Sequence, residues 1–209
     1  MHLAAITSEA KKIFQKLDNF PDFYLAGGTG LALQIGHRIS VDFDFFWEKD
    51  IPKSLLSKVR EVFKDFKTEV IVNNSEQLTV AVQGIYLSFI KYPFPVILKI
   101  INYEGIKILP AIEICAMKAY ALGRRATLKD YVDLYFFLKE KIGSLRDIVK
   151  LCEKKYDREF DPRLFLEQLI YSKDIEKMEI QFLKEKVNNL EIEEFFKNKI
   201  KKLKKEIFK

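Results

Sequence analysis

The hydrophobic repeat changes at Pro110, and a fold must accommodate both halves. Before it, short apolar runs alternate with period two and are broken by Gly and Pro. That spacing predicts strands over residues 23–26, 41–47, 68–72, 78–82 and 85–92, with shorter ones at 96–101 and 106–109. Gln83-Gly84 is a hairpin signal. Helical spacing appears in this half at 8–17, with Ser8 as cap, at 31–35 and at 53–66. After Pro110 the repeat is helical only, predicting helices over 112–122, 128–140, 145–155, 162–171 and from 182 onward. Asp161-Pro162 makes a good helix start. The expectation is an α+β chain: an α/β core over 1–109 and a helical lobe over 110–209 that completes a ligand cleft.

Composition narrows the class. The chain has 209 residues, 48% of them hydrophobic and 32% charged, enough to bury a sizeable core and unlike a disordered segment. Two cysteines, Cys115 and Cys152, make neither a disulfide framework nor a metal cluster. No secretory leader pattern and no apolar run of bilayer length stands out, so no membrane partner and a cytoplasmic setting are expected. The net charge of +6 favours anionic partners. Its excess collects at the end, in Lys197, Lys199, Lys201, Lys202, Lys204, Lys205 and Lys209, opposed by Glu206. Such a run reads either as a solvated helix face or as an RNA contact.

The chemistry concentrates between residues 25 and 46. On a strand, Asp42 and Asp44 share one face while Val41, Phe43 and Phe45 share the other. Two neighbouring carboxylates repel unless a cation lies between them. Mg²⁺, with Mn²⁺ as an alternative, commonly takes one or two carboxylates plus substrate phosphates. Gly27-Gly28 follows a strand and precedes a helix, a position where the backbone turns and phosphate can approach. Amides there, the Thr29 hydroxyl, Ser40 and Arg38 are candidate nucleotide contacts. A Gly-Gly turn or an Asp-x-Asp alone is weak, but their combination is specific. Gly28-x-Gly30 does not make a dinucleotide fingerprint, because Leu33 stands where a third glycine belongs.

The pattern Gly27-Gly28-Thr29-x-Leu31, then Arg38-x-Ser40-x-Asp42-x-Asp44, resembles the AbiEii/AbiGii toxin family of nucleotidyltransferases, within the DNA polymerase β-like superfamily. A second block, Ile112 to Lys118, then Arg124, then Lys129-Asp130-Tyr131-Val132-Asp133, is also similar. The resemblance implies a polymerase β-like mixed sheet with flanking helices. It implies Mg²⁺-dependent transfer of a nucleotide from an NTP to an acceptor hydroxyl, tRNA in some members. In many members it implies the toxin role of a type IV pair, with an antitoxin encoded nearby. Asp42 and Asp44 would then hold the metal, Lys118 would face the β and γ phosphates, and Asp130 would activate the acceptor or bind metal.

Each residue of the second block has a plainer reading. Lys118 alone reads equally as a snorkelling surface lysine. Asp130 would be a cap or a partner of Arg124 or Arg125, and Asp133 a structural acid. The superfamily's third strand carboxylate has no counterpart, since residues 85–92 offer Tyr86 and Ser88 instead. A catalytically impaired protein that binds nucleotide or RNA is therefore the alternative.

Overall fold

The computed structural model describes residues 1–122, 124–125, 127–171 and 179–207, without the side chains of 205–207. Contacts divide the chain into two units, Met1–Pro110 and Ala111–Lys209.

The first unit is built on a mixed sheet flanked by helices. α1 (Ser8–Phe14) is capped by Thr7, not Ser8: the Thr7 hydroxyl accepts the Ala10 amide at 3.2 Å. β1 is short, Tyr24–Leu25, and α2 (Gly27–Ile35) starts after one intervening residue, Ala26. β2 (Phe43–Trp47) follows, then α3 (Leu55–Val62), shorter than its apolar stripe suggests. β3 (Thr68–Asn73), β4 (Gln77–Val82) and β5 (Ile85–Lys91) form a meander. Gln83 and Gly84 both take positive φ, 50° and 83°, as a two-residue hairpin turn requires. β6 (Ile101–Tyr103) and β7 (Ile106–Ile108) make a second hairpin.

The strand order is β3-β4-β5-β2-β1-β7-β6. β2 runs parallel to β5 and antiparallel to β1, and β1 runs parallel to β7. One face carries the core: Phe43 and Phe45 of β2, Leu78, Val80 and Val82 of β4, and Leu87 and Phe89 of β5. Period two therefore forces Asp44, Ser88 and Thr79 onto the opposite face. The strand expected over 96–101 does not form; only Ile101 pairs. Pro93 and Pro95 remove two amides from any ladder just upstream.

The second unit is helical: α4 (Ala111–Leu122), α5 (Leu128–Lys139), α6 (Leu145–Tyr156), α7 (Pro162–Ile170) and α8 (Asn189–Ile207). α6 starts on a reciprocal capping box between Ser144 and Asp147. Asp161 caps α7, accepting the Arg163 and Leu164 amides, with Pro162 in its first turn. α8 begins later than 182, because Asn188 and Glu191 exchange side-chain bonds with each other's amides, 2.8 and 3.0 Å, and fix its start there. Among the described residues no helix is long and apolar enough to cross a membrane. Both cysteines are buried and unbridged. Burial pushes the Cys115 and Cys152 thiols well up, so neither is a ready nucleophile.

Candidate active site

In the first unit the signature residues gather at the start of α2. Ala26 brings no capping side chain, and Gly27 takes a left-handed φ of 61°. The helix thus opens on the glycines themselves rather than at Leu31. A Cβ on Gly27 would lie 2.5 Å from Asp44 Oδ2, so the carboxylate rests against the bare backbone. A Cβ on Gly28 would lie 2.5 Å from Arg38 Nη2 and 3.4 Å from Ser40 Oγ. The two glycines leave the room that Asp44, Arg38 and Ser40 fill.

Asp42 stands one residue before β2 and is half-buried, as is Asp44 within it; Val41, expected on the core face, is 39% exposed because the strand starts only at Phe43. Asp42 Oδ1 accepts the Tyr86 amide of β5 at 3.1 Å. Its carbonyl accepts the Thr29 hydroxyl, whose oxygen lies 2.8 Å from Ser40 Oγ. A hydroxyl has one proton to give, so Ser40 donates to Thr29 while Thr29 donates to Asp42. Thr29 is buried, and its side chain, committed to the Asp42 carbonyl, ties the start of β2 to α2. Arg38 is 2% exposed and donates to the Ile39 carbonyl at 3.1 Å, so its charge acts beneath Gly28 rather than at the surface.

The donors offered by Asp42 and Asp44 are carboxylate oxygens, both side chains half-buried. That set suits Mg²⁺ or Mn²⁺. Among the described residues no group of three or more His, Cys, Asp or Glu converges on one point. A cation at Asp42 and Asp44 would therefore complete its shell with water and substrate oxygens.

Sequence reasoning marked Ser88 only as a place where an acid is lacking. The register sets Ser88 opposite Asp44 on β2 and opposite Thr79 on β4. Thr79 Oγ1 donates to Ser88 Oγ at 3.1 Å, and Gln77 Nε2 donates to Thr79 at 2.9 Å. The signal was available as polar residues at alternate positions of two apolar strands.

In the second unit Lys118 is not a snorkelling surface lysine. It is 7% exposed, and its ammonium lies 2.8 Å from Asp130 and 2.6 Å from Asp133. Asp130 bonds Lys118 and accepts the Thr127 hydroxyl at 2.6 Å, in place of the expected pairing with Arg124 or Arg125. Arg124 instead lies over the Tyr120 ring, 3.6 Å from its centre. Burial, with the Asp130 charge adding, pushes the Tyr131 phenol up to about 12. Deeper still, Lys155 pairs with Glu113 at 2.8 Å, both side chains fully buried. On α8, Lys201, Lys202 and Lys204 are exposed, while Lys197 pairs with Glu193. Neighbouring lysines and burial lower Lys199, burial most. Lys209 and the side chains of Lys205 and Glu206 lie outside the described residues.

A mixed sheet with flanking helices and paired aspartates at a glycine-started helix defines the nucleotidyltransferase fold class, and solved structures agree. MenT4, a nucleotidyltransferase toxin of Mycobacterium tuberculosis H37Rv, superposes with TM-score 0.64 at 19% identity, over 91% of this chain and 80% of that one. JHP933 of Helicobacter pylori does so at 0.60 and 19%, over 97% of each. ANT(2")-Ia in complex with adenylyl-2"-tobramycin gives 0.53 at 10% identity, over 74% of this chain and all of that one. The family model described as nucleotidyl transferase AbiEii toxin, type IV toxin–antitoxin system, matches residues 12–87 and 76–208, and the chain belongs to that family. The uncharacterized protein aq_aa25 of Aquifex aeolicus (strain VF5) is 35% identical over 182 residues, 86% of this chain and 87% of its own length.

Proposed function

We propose that this protein transfers a nucleotide from an NTP to an acceptor hydroxyl on RNA, tRNA being one such acceptor. In this reading it acts in the cytoplasm as the toxin of a type IV pair, countered by an antitoxin. The carrying observation is Asp44 lying against Gly27 with Asp42 beside it. Carboxylates and unpaired helix amides thus meet at one point. Membership of the AbiEii family supports the toxin role.

Asp42 and Asp44 would hold Mg²⁺ or Mn²⁺, which when bound supplies charge neutralisation and alignment of the phosphates. The first amides of α2, at Gly27, Gly28 and Thr29, donate to phosphate oxygens, and the helix dipole favours the negative charge there. Ser40 adds a hydroxyl, and Arg38 a fixed positive charge beneath Gly28. The acceptor oxygen forms a bond to the α-phosphorus, the bond to pyrophosphate breaks, and the acceptor's proton passes to a base. Asp130 is assigned that base role and Lys118 the offset of charge on the β and γ phosphates. For these two the support is the sequence resemblance.

Incubation with labelled NTPs and total RNA tests the reading. Wild-type protein should label an RNA band, and Asp42→Ala and Asp44→Asn should not. Labelling that survives in both variants overturns it. A second reading, nucleotide binding without turnover, is favoured by Ser88 standing where a third carboxylate would be. Calorimetric NTP binding by a wild-type protein that labels no RNA would select it.

A further inference from the structure

Two elements of the first unit hold Asp42, one by its backbone and one by its side chain. On the α2 side the Thr29 hydroxyl donates to the Asp42 carbonyl, and Ser40 Oγ lies 2.8 Å from the Thr29 oxygen. On the β5 side the Tyr86 amide donates to Asp42 Oδ1 at 3.1 Å. The β2–β5 ladder begins at Phe43, opposite Leu87. One residue earlier the Asp42 carboxylate, not a ladder carbonyl, takes the Tyr86 amide. Among the described residues Asp42 Oδ2 accepts no hydrogen bond. Thr29 is 1% exposed, so its bonds are shielded from water. A hydroxyl carries one proton. With that proton on the Asp42 carbonyl, the Thr29 side chain has none to give a phosphate, which is the role that its place after Gly27-Gly28 suggests.

Resting on the nucleotidyltransferase reading, we infer that Thr29 is a positioning residue for the cation: through the Asp42 carbonyl it fixes the residue whose Oδ2 is left to take a metal ion, and its hydroxyl does not bind the triphosphate. The Tyr86 amide fixes Oδ1, and the Thr29 hydroxyl fixes the main chain of the same residue. Asp42 therefore has little left to order when a cation arrives. A group held in place beforehand loses less freedom on binding, and that raises affinity. One available carboxylate oxygen suits Mg²⁺ or Mn²⁺, whose other positions go to water and phosphate.

The test is Mn²⁺ titration of the full chain without nucleotide, read by electron paramagnetic resonance of the free ion. Calorimetric titration with NTPs in EDTA and steady-state kinetics accompany it. The variants are Thr29→Val, which removes the hydroxyl and keeps the branching, Thr29→Ser, which keeps the hydroxyl, and Asp42→Asn. Loss of a group that orients a metal ligand commonly weakens metal affinity about 10–100-fold. Thr29→Val should show that loss, with NTP affinity in EDTA at the wild-type value and a transfer rate that recovers as Mn²⁺ is raised. Thr29→Ser should restore the Mn²⁺ affinity. Wild-type Mn²⁺ affinity in Thr29→Val, or in Thr29→Ala should the valine variant not fold, overturns the inference while leaving the proposed function standing. Weaker NTP binding by Thr29→Val in EDTA also overturns it, by returning the hydroxyl to the phosphates. Equal Mn²⁺ affinity in wild type and Asp42→Asn overturns both.

Discussion

The acidic residues singled out in the two units stand in different settings. In the first, Asp42 and Asp44 stand half-exposed at a glycine-lined helix start. In the second, Lys155 and Glu113 are paired with no exposure, and Lys118 is held between two carboxylates. Burying a lone charge is very costly, so a fold can keep it inside only with a partner. Leaving carboxylates half-exposed costs little and keeps them available to a ligand. Under the proposed function the contrast separates groups placed for chemistry from groups placed for architecture, with Lys118 at the boundary, architectural in geometry and chemical by resemblance.

The contrast can be broken by experiment. Asp44→Asn should lower nucleotide transfer by on the order of 10³-fold while the melting temperature stays near wild type. A large loss of stability instead would make Asp44 architectural. Glu113→Gln should do the reverse. It strands the Lys155 charge in the core, costing about 3–5 kcal/mol in denaturant unfolding, and residual folded protein should stay active. Gly27→Ala should touch both properties. The left-handed φ strains the alanine by about 1–3 kcal/mol, and its Cβ displaces Asp44. Transfer should then fall on the order of 10²-fold.

The smallest effect concerns the α6 cap. Ser144→Ala should cost about 1 kcal/mol, read by urea unfolding at neutral pH. The Ser144 hydroxyl, followed by its amide, holds Asp147 below the ordinary carboxylate value of 3.8. A group lowered on folding stabilises above its unfolded value and loses that contribution as pH falls through its folded value. The difference between wild type and Ser144→Ala should therefore shrink below about pH 4. A difference that is constant down to pH 2 would remove Asp147 from the cap.

Much of this was legible in the residues. The β3 to β5 meander follows from alternation and Gln83-Gly84, and the AbiEii family from the spacing of Gly27, Gly28, Ser40, Asp42 and Asp44. The start of α8 could have been read from Asn188-x-x-Glu191 in place of the apolar residue at 182. The strand expected over 96–101 forms only at Ile101, because apolar character alone does not provide a paired neighbour for a ladder. The ion pairs were beyond reach. Lys155 and Glu113 are 42 positions apart on different helices, and no local pattern selects one acid among many. Arg38 read as a candidate nucleotide contact, and only the packing against Gly28 reveals that it is inside.

The Lys155–Glu113 contact joins α6 to α4 across a shared apolar surface, with the Cys152 Sγ–Ala116 carbonyl contact on the same pair of helices. Greasy helix surfaces tolerate sliding, because one leucine replaces another as neighbour. Here a slip of one turn, about 5.4 Å, would leave an ammonium and a carboxylate each facing hydrocarbon. The pair therefore acts as a dowel that admits one alignment of the two helices. Native-state hydrogen exchange should find the central amides of α4 and α6 opening together rather than one after the other.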